Sequence, residues 1–235
     1  TVKEDIVVFN YKRNSNKSGF NEEKKSITNN EAINVLLDFA GYRMLLPTGM
    51  GEKYSVFTSC WAKMYRKSVI DTNEIRFQES LTLSEDMCFN LMYFKKIQNV
   101  LIVNKEVYNY SDNPESVTHS FSEKKFLGRK ELIVYLDGVH DIPKECEKAK
   151  QKYIVLTAIQ LADKIATTKN KKLRKAYISF LEMKYVQKGI LNGVDRCLSI
   201  GKKQNAYLNF QYWLLRHKLY CVMLPVGYIY ARIRG

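Results

Sequence analysis

Glu85 and Asp86 stand side by side in 81-LTLSEDMCFNLMYF-94, where Met87, Leu91 and Phe94 then recur at helical spacing. Adjacent carboxylates raise each other's proton affinity, which suits one of them to take a proton from a sugar or alcohol hydroxyl. Two acids in the first turn of a helix, with Ser84 as N-cap, also complement the helix macrodipole. Spacing alone leaves both readings open: Asp86 as a general base facing a cleft with Glu85 beside it, or an acid pair that serves only the helix.

Five other positions bear on the chemistry. Trp61 is either a packing aromatic or a platform for the apolar face of a sugar ring. Lys63 is either a solvated helix residue or a phosphate contact. His119 is one of three histidines, with His140 and His217, and a lone histidine is most often unliganded. Tyr108 and Tyr110 read as structural, their rings buried and their hydroxyls bonded, and are not assigned to catalysis.

The elements that must position these residues follow from pattern. The run 5-DIVVFNY-11 reads as a buried strand, and 12–30 as a polar surface excursion. Thr28 or Asn29 caps a helix over 31–43. A mobile loop over 46–56 holds Pro47, Gly49 and Gly51, and a short helix over 59–70 precedes an extended piece at 74–79. After the acid-pair helix, 99–111 reads as a strand and 112–116 as a turn. Helices are then expected over 123–138, 145–168, 171–192 and 206–233, with a linker at Gly201–Asn205 and a break at Pro225 and Gly227. The fold class is α/β: a partial Rossmann-like mixed sheet followed by an α-helical region, with the change near residue 120.

Charge divides at the same place. Residues 1–120 hold 15 Lys+Arg and 15 Asp+Glu, whereas 121–235 hold 23 and 9, so the whole formal excess of +14 belongs to the second half. Such a surplus fits a polyanionic partner or a solvated basic surface. Five scattered cysteines form no CxxC pair, which points to a reducing cytoplasm. No apolar run approaches the roughly 20 residues needed to span a bilayer. The chain opens at Thr1 directly on a strand, as one that starts inside a fold.

Taken in order, Trp61, Lys63, Tyr65 and Arg66, then Ile75 and Phe77, Glu85 and Asp86, Tyr108 and Tyr110, and Ser116 and Thr118 form five motifs between Ser59 and Phe121. Their order resembles the second half of family 2 glycosyltransferases with the GT-A fold. The resemblance implies that Asp86 activates an acceptor hydroxyl in an inverting transfer from a nucleotide-sugar donor to a saccharide or lipid-linked acceptor, as in cell-surface polysaccharide synthesis. It also implies a divalent ion, Mn or Mg, on an Asp-x-Asp motif that neutralises the leaving diphosphate, with His119, downstream of the acid-pair helix, as a further metal ligand.

No Asp-x-Asp occurs here, and the family's opening strand is missing too. The resemblance therefore makes residues 1–120 the acceptor-side part of a GT-A domain, with a donor-side N-terminal half as a missing partner. Where the family often has Arg after the tyrosine pair, this chain has Ser111 and Asp112.

The tail 206-AYLNFQYWLLRHKLYCVMLPVGYIYARIRG-235 mixes Tyr, Trp and Leu with Arg216, Lys218, Arg232 and Arg234. It suits the interface of an anionic membrane, peripheral at the inner face, as well as ordinary helix packing. Nucleic acid is the least fitting partner, because no helix-turn-helix, zinc or RNP pattern accompanies the charge. The competing reading of the whole chain is a non-catalytic half-domain that binds a membrane or protein through its basic helices.

Overall fold

The run Ile6–Arg13 (IVVFNYKR) forms β1, and its near-continuous apolar character reflects cover on both faces: Ile6, Val7, Val8 and Tyr11 are all buried. In the computed structural model, which describes residues 4–13, 16–18, 22–42, 52–111, 122–168, 170–192 and 202–234, β1 pairs in parallel with β5 (Asn99–Tyr110). Antiparallel to β1 run β2 (Asn16–Ser18) and β4 (Lys63–Tyr65), while β3 (Lys24–Thr28) runs antiparallel to β5. The sheet order is β2-β1-β5-β3, with β4 also on β1, so the α/β class with a mixed sheet read from the sequence is observed.

By contact the chain divides into two units: Thr1–Ala40, Pro47–Ser120 and Asp141–Cys146 in one; Gly41–Leu46, Phe121–His140 and Glu147–Gly235 in the other. In the first, α1 (Asn29–Tyr42) begins with a reciprocal capping box: Thr28 N donates to Glu31 Oε2 at 2.8 Å and Glu31 N to Thr28 Oγ1 at 3.2 Å. Its Ile33, Leu36 and Leu37 are fully buried, as are Leu91, Tyr93 and Phe94 of α4 (Glu85–Phe94). Removing such side chains from water contributes roughly 1.5–3 kcal/mol each.

Several expected boundaries move. The excursion over 12–30 contains β2 and β3, which look polar because β3 is an edge strand whose five residues bury only Ile27. Residues 52–56, expected in a loop, begin α2 (Glu52–Thr58); the glycines and proline before them lie outside the described residues. The helix expected over 59–70 is instead a bend, β4, and α3 (Lys67–Thr72), because pairing with Ile6–Val8 overrides local preference. Residues 75–78 form no strand. The expected turn at 112–116 lies outside the described residues.

The second unit is helical: α5 (Glu123–Gly138), α6 (Lys144–Ala166, from Glu147 on), α7 (Lys171–Leu181), α8 (Lys184–Asn192), α9 (Lys202–Arg216) and α10 (Tyr220–Arg234). Ser122 and Asn170 cap α5 and α7 through Lys125 N and Leu173 N. The core centres on α6, where Ile154, Val155, Ala158, Ile159, Ala162 and Ile165 are buried.

The expected 171–192 helix splits at Glu182 and Met183, and residues 202–205, expected as linker, open α9. The 206–233 helix breaks at Lys218 rather than at Pro225. Lys218 takes the left-handed conformation (φ 55), Lys218 N bonds Leu215 O and Leu219 N bonds Leu214 O, which is a Schellman ending without its usual glycine. Pro225 lies within α10. Gly227 is a point of close approach, since a Cβ there would lie 2.9 Å from Asp163 Oδ1.

Candidate functional site

The backbone fixes where the acid pair points. Ser84 precedes α4 in the left-handed region (φ 64, ψ 26), and its hydroxyl makes no cap bond to the helix. Successive helix residues diverge by about 100°, so neighbouring carboxylates do not share one direction. Glu85 is exposed, whereas Asp86 is half-buried and its Oδ2 accepts a bond from Cys60 N at 2.9 Å. Among the described residues no partner holds Asp86 Oδ1.

Asn90, one turn further along α4, locks this contact. It is fully buried, and its Nδ2 donates to Asp86 O at 2.8 Å and Ser59 O at 3.1 Å while Oδ1 accepts from Tyr65 Oη at 2.7 Å. Tyr65 in turn packs edge-on against Phe89 and Tyr93. The Tyr93 hydroxyl donates to Asp5 O at 2.5 Å and accepts from Arg66 N at 3.0 Å, and Arg66 Nε bonds Asp5 Oδ1 at 2.8 Å. Burial pushes the Cys60 thiol up to about 12, reinforced by the Asp86 charge, so Cys60 is a protonated packing group and no nucleophile. Burial likewise pushes the Tyr65 hydroxyl well above its ordinary value.

Lys63 lies on β4 rather than on a helix. Its Nζ donates to the carbonyls of Val56 and Ser59, at the C-terminal end of α2, where a cation meets the negative end of the helix. Burial lowers its ammonium to about 7, against the opposing pull of Cys60 and Asp86. The side chain is committed to the turn that presents Cys60 and Trp61.

That turn is strained. Ala62 has φ 54, a costly conformation outside glycine, and its carbonyl is held by Phe9 N of β1 at 2.9 Å. The kink directs Trp61 into an aromatic cluster: stacked on Tyr108 (centroids 4.8 Å apart, 12°), edge-on to Tyr11 (4.7 Å) and 5.8 Å from Tyr110. Tyr108 is 40 % exposed, which corrects the expectation of a buried ring. Tyr11 and Tyr108 are register partners, as are Arg13 and Tyr110, so β1 and β5 bring these groups together. The Arg13 guanidinium lies 5.5 Å from the Tyr110 ring centre. The arrangement offers an aromatic wall, one guanidinium at its end, and a seated carboxylate one residue from the wall's tryptophan contact.

Of the residues singled out from the sequence, Trp61, Lys63 and Asp86 gather on the 59–63 turn and the start of α4, with Glu85 turned to solvent. His119, Ser116 and Thr118 lie outside the described residues. Among the described residues no group of three or more His, Cys, Asp or Glu could hold a metal ion. Sequence reasoning missed Asn90, Tyr11 and Arg13. Asn90 had a signal, a lone amide in the core-facing stripe of an apolar helix; Tyr11 and Arg13 had none, because only strand pairing brings them here.

No protein-family profile matches the chain. A 58-residue stretch is 31 % identical to a protein of Bacillus subtilis (strain 168) described as "Uncharacterized glycosyltransferase EpsJ", covering 25 % of this chain and 17 % of that protein. The fold is similar to the crystal structure of S. aureus TarS 1-349 in complex with UDP-GlcNAc, with a TM-score of 0.55 and 13 % identity. That likeness covers 97 % of this chain and 60 % of the TarS chain. The chain thus spans less than two thirds of either protein.

Proposed function

We propose that the chain is the acceptor-side part of a glycosyltransferase of the family 2, GT-A type, which moves a sugar from a nucleotide-sugar donor to a saccharide or lipid-linked acceptor in the building of a cell-surface polysaccharide. The observation that carries the reading is the seat of Asp86: one carboxylate oxygen tied to Cys60 N, on a strained turn whose next residue is Trp61. The local similarity to a glycosyltransferase and the shared fold with a UDP-GlcNAc complex support it.

In this reading Asp86 Oδ1 accepts the proton of the acceptor hydroxyl while Cys60 N holds Oδ2 and Asn90 holds the Asp86 backbone carbonyl, which limits the carboxylate's loss of orientation in the reacting complex. Glu85, exposed alongside, adds negative charge to the mouth of the site. The Trp61 and Tyr108 rings face the sugar, and Arg13 offers the cation that the sequence after Tyr110 lacks. The family type calls for a divalent ion, but the described residues do not assemble a site for one, so no step is routed through it. That same mismatch is what favours the second reading, a non-catalytic module.

The test is donor turnover by the chain joined to a donor-side half, measured as UDP release across a panel of UDP-sugars with and without Mn, with Asp86 intact and with Asp86→Asn. A base of this kind contributes about 10²–10⁴-fold, so the variant should lose turnover by that factor while still binding donor. Equal turnover in both proteins would remove Asp86 from the chemistry. Absence of donor binding even with the donor-side half supplied would put the non-catalytic reading first.

A further inference from the structure

The last two helices each carry a second stripe opposite the one that joins their core. On α9, Tyr207, Leu208, Gln211, Leu214 and Leu215 are buried, while Phe210 and Trp213 are 46 % and 47 % exposed. Their rings are parallel with centroids 6.1 Å apart, and His217 lies against Trp213 at 4.5 Å. On α10, Tyr220 and Met223 face inward, whereas Val222, Tyr228 and Ile229 are exposed, Ile229 at 58 %. Exposed Arg216 ends the first stripe and Arg232 the second, its guanidinium 4.9 Å from the Tyr228 ring centre.

Large apolar side chains at helical spacing on an outward face are uncommon without a partner. The chemistry of these stripes narrows the partner. Between Lys202 and Gly235 there are six Lys and Arg and no Asp or Glu, so the apolar surface is edged by cations alone. Trp and Tyr favour the headgroup level of a bilayer, and a basic rim favours anionic lipid. Two such faces repel each other, which disfavours a second copy of the chain. A further feature fits lipid: Leu224, Tyr228, Ile229 and Ala166 line a recess of about 380 Å³ beside Arg174. Arg174 Nη2 donates to Thr168 O at 2.7 Å, and its buried Nε has no partner. An apolar recess with a guanidinium at its side accommodates an acyl chain below its phosphate.

We infer that the outward faces of α9 and α10 dock on the surface of an anionic phospholipid bilayer, with Trp213 and Ile229 entering the headgroup layer and Arg216 and Arg232 meeting phosphates. The binding is peripheral: among the described residues no helix is long and apolar enough to cross a membrane. The inference stands apart from the proposed sugar transfer and is tested without it.

The full chain carrying Trp61→Phe keeps Trp213 as its only indole. It is mixed with vesicles of phosphatidylcholine alone and with vesicles in which roughly a third of the lipid is phosphatidylglycerol. Docking gives a blue shift of Trp213 emission and co-sedimentation with the anionic vesicles only, both reduced by added salt. Arg232→Gln weakens partitioning roughly fivefold, the effect of one surface cation. Ile229→Ser weakens it roughly tenfold by withholding apolar area. Both positions are exposed, so neither change opens a core cavity, and an unchanged melting temperature confirms the fold. Equal binding to neutral vesicles, no shift of Trp213, or partitioning indifferent to both substitutions overturns the inference. A blue shift that appears with rising protein concentration alone overturns it in favour of self-association.

Discussion

The two units solve opposite problems. In the first, the segment from Ser59 to Asn90 holds three non-glycine residues at positive φ (Ala62, Glu74 and Ser84), a buried amide, a raised thiol and an inward-turned ammonium. The second unit has an apolar core around α6 in which Lys150, Gln151, Thr157, Gln160 and Gln211 are also buried, and its one non-glycine residue at positive φ among those described, Lys218, ends a helix. Backbone strain persists only where surrounding structure enforces it, and it gathers at functional sites. The contrast in strain singles out the 59–63 turn and the start of α4 as the candidate site and leaves the second unit with a charged, partly apolar exterior.

The comparison can be broken most forcefully at Asp86, where Asp86→Asn should cost turnover heavily and stability little. Its counterpart is Ile159→Ala in α6, at a residue 1 % exposed. The cavity should cost about 2–5 kcal/mol in urea unfolding, while donor affinity at the first unit is retained. A loss of affinity without a loss of stability would show that the division of labour is wrong.

Two buried amides sharpen the contrast. Asn90 is satisfied at both ends, whereas Gln211 donates to Tyr207 Oη at 2.8 Å but leaves Oε1 without a partner. Replacing Asn90 with Leu strands the Tyr65 hydroxyl and leaves the Ser59 carbonyl to Lys63 alone, at a cost of about 1–3 kcal/mol, and frees the turn that seats Asp86. Gln211→Met removes an unsatisfied oxygen and should change stability by less than about 1 kcal/mol. Equal costs for both, measured from urea midpoints, would mean that Asn90 is no latch.

What could be read from the sequence follows the range of the forces involved. The strands β1 and β5 and the helices α1, α4, α5 and α6 were legible, because apolar periodicity and the Thr28 capping box are local signals, whereas the Ser84 hydroxyl, expected to cap α4, makes no cap bond. The polar edge strands β2 and β3 were not, since an edge strand has no second apolar face to reveal it. Strand β4 was read as helix because its partner, Ile6–Val8, lies far away in sequence. The break at Lys218 lacked the glycine that normally announces it. At the site, Asp86 and Trp61 were visible as residue types, but the Lys63 ammonium, expected at solvent or a phosphate, is claimed by two carbonyls that no spacing rule identifies.

That lysine gives the smallest and most specific effect, one that acts through pH. Burial holds its folded-state value near 7 instead of 10.5. Between those limits the unfolded chain keeps a proton that the folded chain has released, so stability rises with pH. The buried thiols act in the opposite sense and higher up. Cys60 and Cys88 are pushed from 9.0 to about 12, so above about pH 9 the unfolded chain loses protons that the folded chain retains, and stability falls. Urea midpoints under reducing conditions should therefore climb from about pH 7 to about pH 9 and then turn over. Lys63→Met should lower the whole curve, because the Val56 carbonyl loses its side-chain donor and the Ser59 carbonyl keeps only Asn90, and should flatten its rising limb while leaving the descending one. A native curve already flat across that interval would mean that Lys63 stays charged in the fold, and the strained turn would then hold a cation beside Asp86 rather than a neutral amine.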